Sequence, residues 1–195
     1  MLRSGRWTRM KVYLARHGET EWSLSEQHTG RTDIPMTDNG RRQAAQMRGL
    51  FTPRPVEKVF TSPLSRAVET AALAGFEGAE ETDELLEFDY GEYEGVTTTD
   101  IRQERPDWYL WRDGSPGGET PSDVAIRVGR LVDRLRTEGV DVALFSHGHV
   151  LRALTARWLG LGPEAGGLFA LETATLSTLG YERDVPVMRG WNLSA

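Results

Sequence analysis

Met10-Lys11-Val12-Tyr13-Leu14-Ala15-Arg16-His17-Gly18-Glu19-Thr20 is the stretch on which the fold turns. Its apolar half is short, as suits a buried strand, and it runs straight into polar residues. Similar runs recur at Val56 to Thr61, Val140 to Phe145 and Thr175 to Tyr181, with a weaker closing run at Val185 to Arg189. Helical periods lie between them. Strands and helices in alternation give a mostly parallel sheet covered by helices on both faces. The expected fold class is therefore α/β, a three-layer αβα sandwich with a mostly parallel central sheet.

The helices carry their own signals. Thr37 can cap one that runs through Gln43, Ala44, Met47 and Leu50, with Gly40 weakening its first turn. Pro63 stands where a first helical residue could be, ahead of Ala67, Thr70, Ala71 and Ala74 on one face. The best-marked start is Thr120-Pro121-Ser122-Asp123, a capping hydroxyl, a first-position proline and a first-turn acid. Val124, Val128, Leu131, Val132 and Leu135 follow on one face. A last helix follows Ser146-His147-Gly148-His149 through Val150, Leu151, Leu154 and Trp158, and Gly160 ends it. Between Gly91 and Gly118 the periodicity fails while Trp108, Tyr109 and Trp111 crowd among prolines, glycines and charges. That segment, residues 91–118, reads as an excursion off the sheet that forms a pocket wall or lid.

Composition bounds what such a fold can do. The 195 residues hold 23 Lys+Arg and 29 Asp+Glu, a net charge of −6, with 38% hydrophobic residues. One domain over residues 10–195 is expected, preceded by a flexible leader over residues 1–9. Arg3, Arg6 and Arg9 resemble the start of a signal peptide, but no apolar segment follows them, so a cytoplasmic protein is expected. No run is long enough to span a bilayer, and the acidic balance argues against nucleic acid and anionic membrane as partners. Cysteine is absent. That zero excludes disulfides, thiolate metal sites and every cysteine nucleophile.

Four constellations carry chemistry. Arg16-His17-Gly18 stands at a strand end, where α/β sheets bind ligands. It joins a fork of phosphate donors to an imidazole able to act as nucleophile or acid/base. Arg66, in Ser62-Pro63-Leu64-Ser65-Arg66, lies in the first turn of a helix, where a cation gains nothing unless an anion bridges it to the free amides. Ser146-His147-Gly148-His149 places two of the chain's 4 histidines at another strand end. A zinc site at His147 and His149 is disfavoured, because no further cluster of Asp, Glu or His stands nearby. Glu87, in Leu85-Leu86-Glu87-Phe88-Asp89-Tyr90-Gly91, is a carboxyl group among apolar neighbours; burial there would hold it protonated as a general acid.

The order Arg-His-Gly-Glu-Thr-x-Trp, Ser-Pro-x-x-Arg-Ala-x-x-Thr, Leu-x-Glu-x-x-x-Gly-x-x-Glu-Gly and Ser-His-Gly-His resembles the histidine phosphatase superfamily, the phosphoglycerate mutase-like proteins, from Val12 to about Tyr181. It is most similar to the small acid-phosphatase-like and sugar-bisphosphatase members. The resemblance implies that His17 is a nucleophile that becomes phosphorylated. Arg16, Arg66 and His147 would surround the phosphoryl group, with imidazolium adding to the guanidinium charge. Glu87 would protonate the leaving oxygen. It implies no metal and no cofactor, and a small phosphorylated metabolite as the partner; the oligomeric state stays open, a homodimer included. Ser23 stands where many relatives have Asn, and the mutases' basic pair near the acid block is missing from Glu87-Phe88-Asp89-Tyr90, which favours a phosphatase over a mutase. Thr29, Gly30, Gly148 and Tyr90 are carried as substrate contacts, and Trp108, Trp111, His28 and Arg102 join Tyr90 as rim candidates. A sugar-bisphosphatase, a mutase and a low-turnover phosphate-binding module remain the alternatives.

Overall fold

The computed structural model describes residues 10–195, and the expected leader lies outside the described residues. In chain order the elements are β1 (Val12–Arg16), α1 (Glu21–Leu24), α2 (Asp38–Phe51), β2 (Lys58–Thr61), α3 (Ser65–Leu73), β3 (Glu80–Glu81), α4 (Thr98–Glu104), α5 (Leu110–Asp113), α6 (Pro121–Glu138), β4 (Val142–Ser146), α7 (Gly148–Trp158), β5 (Leu176–Glu182) and β6 (Val185–Leu193). The strands form one sheet in the order β3-β2-β4-β1-β5-β6. β1, β2, β3 and β4 run parallel, while β5 and β6 pair antiparallel at one side.

Alternation along each strand builds two cores. Val12 and Leu14 of β1, with Val142 and Leu144 of β4, face Val128, Leu131, Leu135, Leu151 and Trp158 of α6 and α7. Tyr13, Ala15, Ala143 and Phe145 face the other way, onto Met47 and Phe51 of α2 and Ala71 of α3. The result is the three-layer αβα sandwich, each face sealed by side chains worth about 1.5–3 kcal/mol apiece when fully buried.

Three local readings change. Pairing runs one residue past the apolar runs, to Arg16 opposite Ser146, so the sheet itself positions the polar motif. Pro63 does not open α3; the helix starts at Ser65 with Leu64 as its cap residue. Leu64 has no capping side chain, and the carboxylate of Asp33 takes over, accepting from the Ser65 N–H at 3.0 Å and its hydroxyl at 2.8 Å. Gly40 is a close approach rather than a weak point. The N-terminus of α2 lies against the loop after His17, where any Cβ at this position would run into the Glu19 carbonyl. Thr37 and Thr120 cap α2 and α6 as expected, the latter through a reciprocal pair with Asp123. β3 had no sequence signal, because two glutamates carry no apolar alternation. Residues 91–118 hold α4 and α5, both away from the sheet.

Candidate active site

β2, β4 and β1 are neighbours and parallel, so their carboxyl ends open on the same side. Backbone bonds continue past the strands: His17 N–H donates to Ser146 O at 2.9 Å and Ser62 N–H to Phe145 O at 2.9 Å. His17 and Ser62 are thereby held by the sheet, and His147 follows directly on the last residue of β4.

His17 Nδ1 lies 2.7 Å from the Gly18 carbonyl. A carbonyl only accepts, so Nδ1 carries the proton and Nε2 keeps its lone pair. Burial, then the charges of Arg66 and Arg16, holds this imidazole well below the usual histidine range. His147 stands 5.2 Å away, ring centre to ring centre. Its Nδ1 accepts from Arg66 Nε at 3.1 Å, which puts the proton on Nε2, 2.8 Å from the Ser62 hydroxyl. Burial and then Arg66 push it, too, well below its ordinary value. Both shifts favour the neutral imidazole, so the guanidinium groups are the stronger source of positive charge here.

Arg66 is fully buried. Its terminal nitrogens donate to the carbonyls of Thr32 (3.0 Å), Thr29 (3.3 Å) and Gly30 (3.1 Å). Burial lowers its pKa, opposed by the carboxylates of Glu87 and Asp33. Arg16 donates from Nη1 to the Leu171 carbonyl, while its Nε is buried without a hydrogen-bond partner among the described residues. Gly148 lies beneath it, where an added Cβ would come within 3.4 Å of the guanidinium. Glu87 is buried with its oxygens occupied: Oε1 accepts from the N–H groups of Phe88 (2.9 Å) and Val150 (2.8 Å), Oε2 from that of His149 (2.9 Å). This carboxyl group comes with three donors, two from the start of α7, and of about four acceptor sites on a carboxylate one is left over.

A cavity of about 420 Å³ opens above these groups. Of the expected residues, Arg16, His17, Glu87, Ser23, Thr29, Tyr90 and Gly148 line it, as do the rim candidates His28, Arg102, Trp108 and Trp111. Arg66, His147 and Gly30 lie outside the lining. Gly30 is corrected most. Its carbonyl holds Arg66, its N–H donates to Glu94 at 2.8 Å, and a Cβ there would strike the Phe88 carbonyl. The Thr29 carbonyl serves Arg66 likewise, and its hydroxyl donates to Gln27 O at 3.0 Å. The Ser23 hydroxyl is spent on the cap of α1, donating to Thr20 O at 2.8 Å and accepting from Thr20 N–H at 2.9 Å. Sequence reasoning missed Trp22, Tyr109 and Arg152 as lining residues and weighed His149 only as a metal ligand. His149 and Arg152, three apart on α7, share a helix face with the cavity, a spacing that could have revealed them. His147 and His149 take different partners, Arg66 and Ser62 against Tyr90. Among the described residues no group of three His, Cys, Asp or Glu is arranged to hold a metal.

Imidazoles and guanidinium groups gathered at the carboxyl ends of parallel strands define an anion-handling α/β protein. The chain belongs to the histidine phosphatase superfamily (branch 1), whose family model matches residues 12–194. It is 42% identical over 182 residues to an acid phosphatase of Mycobacterium tuberculosis, covering 90% of this chain and 88% of that one. It is 36% identical over 186 residues to the sedoheptulose 1,7-bisphosphatase of Saccharomyces cerevisiae, with coverage of 78% and 68%. A solved structure of an open reading frame product from Mycobacterium tuberculosis superposes with a TM-score of 0.91 at 39% identity, over 95% of this chain and 98% of that one. No described helix is long and apolar enough to cross a membrane.

Proposed function

We propose that residues 10–195 form one histidine phosphatase domain that hydrolyses phosphomonoesters, without a metal, through a phosphohistidine on His17. The observation that carries this reading is the tautomer of His17. With Nδ1–H committed to Gly18, the lone pair of Nε2 is the nucleophile, and depressed basicity keeps it available. In the first step Nε2 bonds to phosphorus, the bond from phosphorus to the leaving oxygen breaks, and that oxygen takes a proton from Glu87. In the second, water attacks phosphorus and gives its proton to Glu87 as the N–P bond breaks, releasing phosphate. Arg16, with an uncommitted buried Nε, and Arg66 beneath the floor supply the charge that stabilises the transferring group.

Phosphatase is favoured over mutase by the acid block, which carries no basic pair to retain a second phosphate, and by the phosphatase relatives. One observation favours a substrate with a second anionic group. Arg102 and Arg152 both line the cavity, and each commits only Nε, to the Trp108 and Gly166 carbonyls at 3.0 and 2.9 Å. The test is rapid quenching with labelled aryl phosphate: label should appear on His17, survive chelator and vanish in His17→Ala. Exchange of phosphoglycerate isomers with a bisphosphate primer, without phosphate release, would make the protein a mutase.

A further inference from the structure

Tyr90 and His149 form a pair that the proposed hydrolysis leaves unused. The Tyr90 hydroxyl and His149 Nδ1 stand 2.6 Å apart, and Tyr90 is 1% exposed. Among the described residues that hydroxyl has no other hydrogen-bond partner. If Nδ1 were the donor, the buried phenolic proton would be left unpaired; with the phenol donating, both groups are satisfied. Nδ1 is then the acceptor, and the neutral ring carries its proton on Nε2. Burial works in the same direction on both partners: it holds His149 well below its usual range, helped by Arg152, and lifts Tyr90 well above its own, helped by Glu87.

Nε2 has no partner among the described residues, and His149 lines the cavity. The ring is anchored beside the acid, since the His149 backbone N–H donates to Glu87 Oε2 at 2.9 Å. Trp111 buttresses it, ring centres 5.6 Å apart, and Arg152 stacks on the same indole at 5.0 Å. A single N–H thus opens on the space next to the group assigned to the leaving oxygen.

We propose that Tyr90 is a positioning residue that locks His149 in its Nε2–H form, and that this N–H is a specificity determinant donating to an oxygen on the alcohol part of the substrate. The inference deepens the phosphatase reading and rests on it for the reaction, while the tautomer rests on geometry alone. The favoured substrates are phosphate esters with a hydroxyl, carbonyl or carboxylate oxygen near the ester carbon. Phenyl phosphate has none.

Nitrogen-15 NMR of the intact protein at neutral pH should show His149 with Nε2 protonated and Nδ1 bare, and Tyr90→Phe should show a mixture. The kinetic readout is a ratio: kcat/KM for the fastest of glycerol 3-phosphate, 3-phosphoglycerate and fructose 1,6-bisphosphate over that for phenyl phosphate. His149→Asn, whose amide reaches only the δ position, should lower the ratio about tenfold, the worth of one hydrogen bond. His149→Gln, whose amide reaches the ε position, should restore most of it, and Tyr90→Phe should fall between. A proton on Nδ1, equal ratios in Asn and Gln variants, or a wild-type preference for phenyl phosphate over all three overturns the proposal. A His17→Ala protein that still turns over overturns the phosphohistidine reading instead, and the NMR result still judges the lock.

Discussion

The floor of the cavity and its rim are built on different principles. The groups in and beneath the floor gather around the strand ends, His17 directly after β1, Arg66 from the first turn of α3 and Glu87 from the segment after β3, and backbone holds each of them: His17 by Gly18, Arg66 by three carbonyls, Glu87 by three N–H groups. The rim comes from α1, α4 and α5, short helices outside the sheet, and offers Trp22, Trp108, Tyr109 and Trp111. A floor fixed by backbone suits one group held in one geometry, which on the proposed reading is the phosphoryl. A rim of side chains on excursions can vary without disturbing it, which is how one fold serves many substrates.

The sharpest way to break the contrast is at His17. Its alanine variant should lose about four orders of magnitude or more in kcat on any substrate, measured by phosphate release. Near-normal turnover would remove the floor's chemical role. Next is Arg66→Ala, which strands three carbonyls and His147 Nδ1. It should cut kcat by about 10²–10³ and stability by about 3 kcal/mol, read from the urea midpoint. Loss of activity with unchanged stability would mean that Arg66 does not build the floor. On the rim, Tyr109→Ala should change kcat/KM by about tenfold or less, mainly through KM and unequally between substrates. A uniform fall in kcat would erase the distinction.

The smallest effect is in pH. His17, His28, His147 and His149 all have depressed pKa values, so the unfolded chain binds more protons than the native one below about pH 6.5. The stability they contribute is present above that pH and is lost as pH falls towards the folded values, and urea midpoints at about pH 7 and 5 should show the drop. Activity should persist into weak acid, because the His17 lone pair survives there, and a rate still climbing above about pH 9 would contradict Glu87 as the acid.

The floor was legible because motif and strand end coincide: hydrophobicity stops where Arg16, Ser62 and His147 begin, and that edge is a chemical signal. The two layers of helices were legible from periodicity alone. What escaped reading is whatever depends on backbone or on distant partners. Thr29 and Gly30 act through carbonyls that their identities do not advertise. The cap of α3 comes from Asp33, 32 residues upstream of Ser65. Gly40 looked like a weak helix residue because the Glu19 backbone it accommodates is remote in sequence. Arg152 lay on an ordinary amphipathic helix, and only the position of α7 over the cavity gives it meaning.

The sheet order has a consequence for synthesis. β4 lies between β1 and β2, its Val142 pairing with both Val12 and Lys58, yet it leaves the ribosome long after either. Until it arrives, two strands wait with open edges, the condition under which nascent parallel sheets fold slowly and stick to one another. A nascent chain that stops short of β4 already carries His17, Arg66 and Glu87 but has no strand to bring them to one place. The site thus forms only after β4 and the segments that follow it, α7 with its N–H groups on Glu87 and β5 beside β1, are in place, which makes enzymatic activity a late marker of folding.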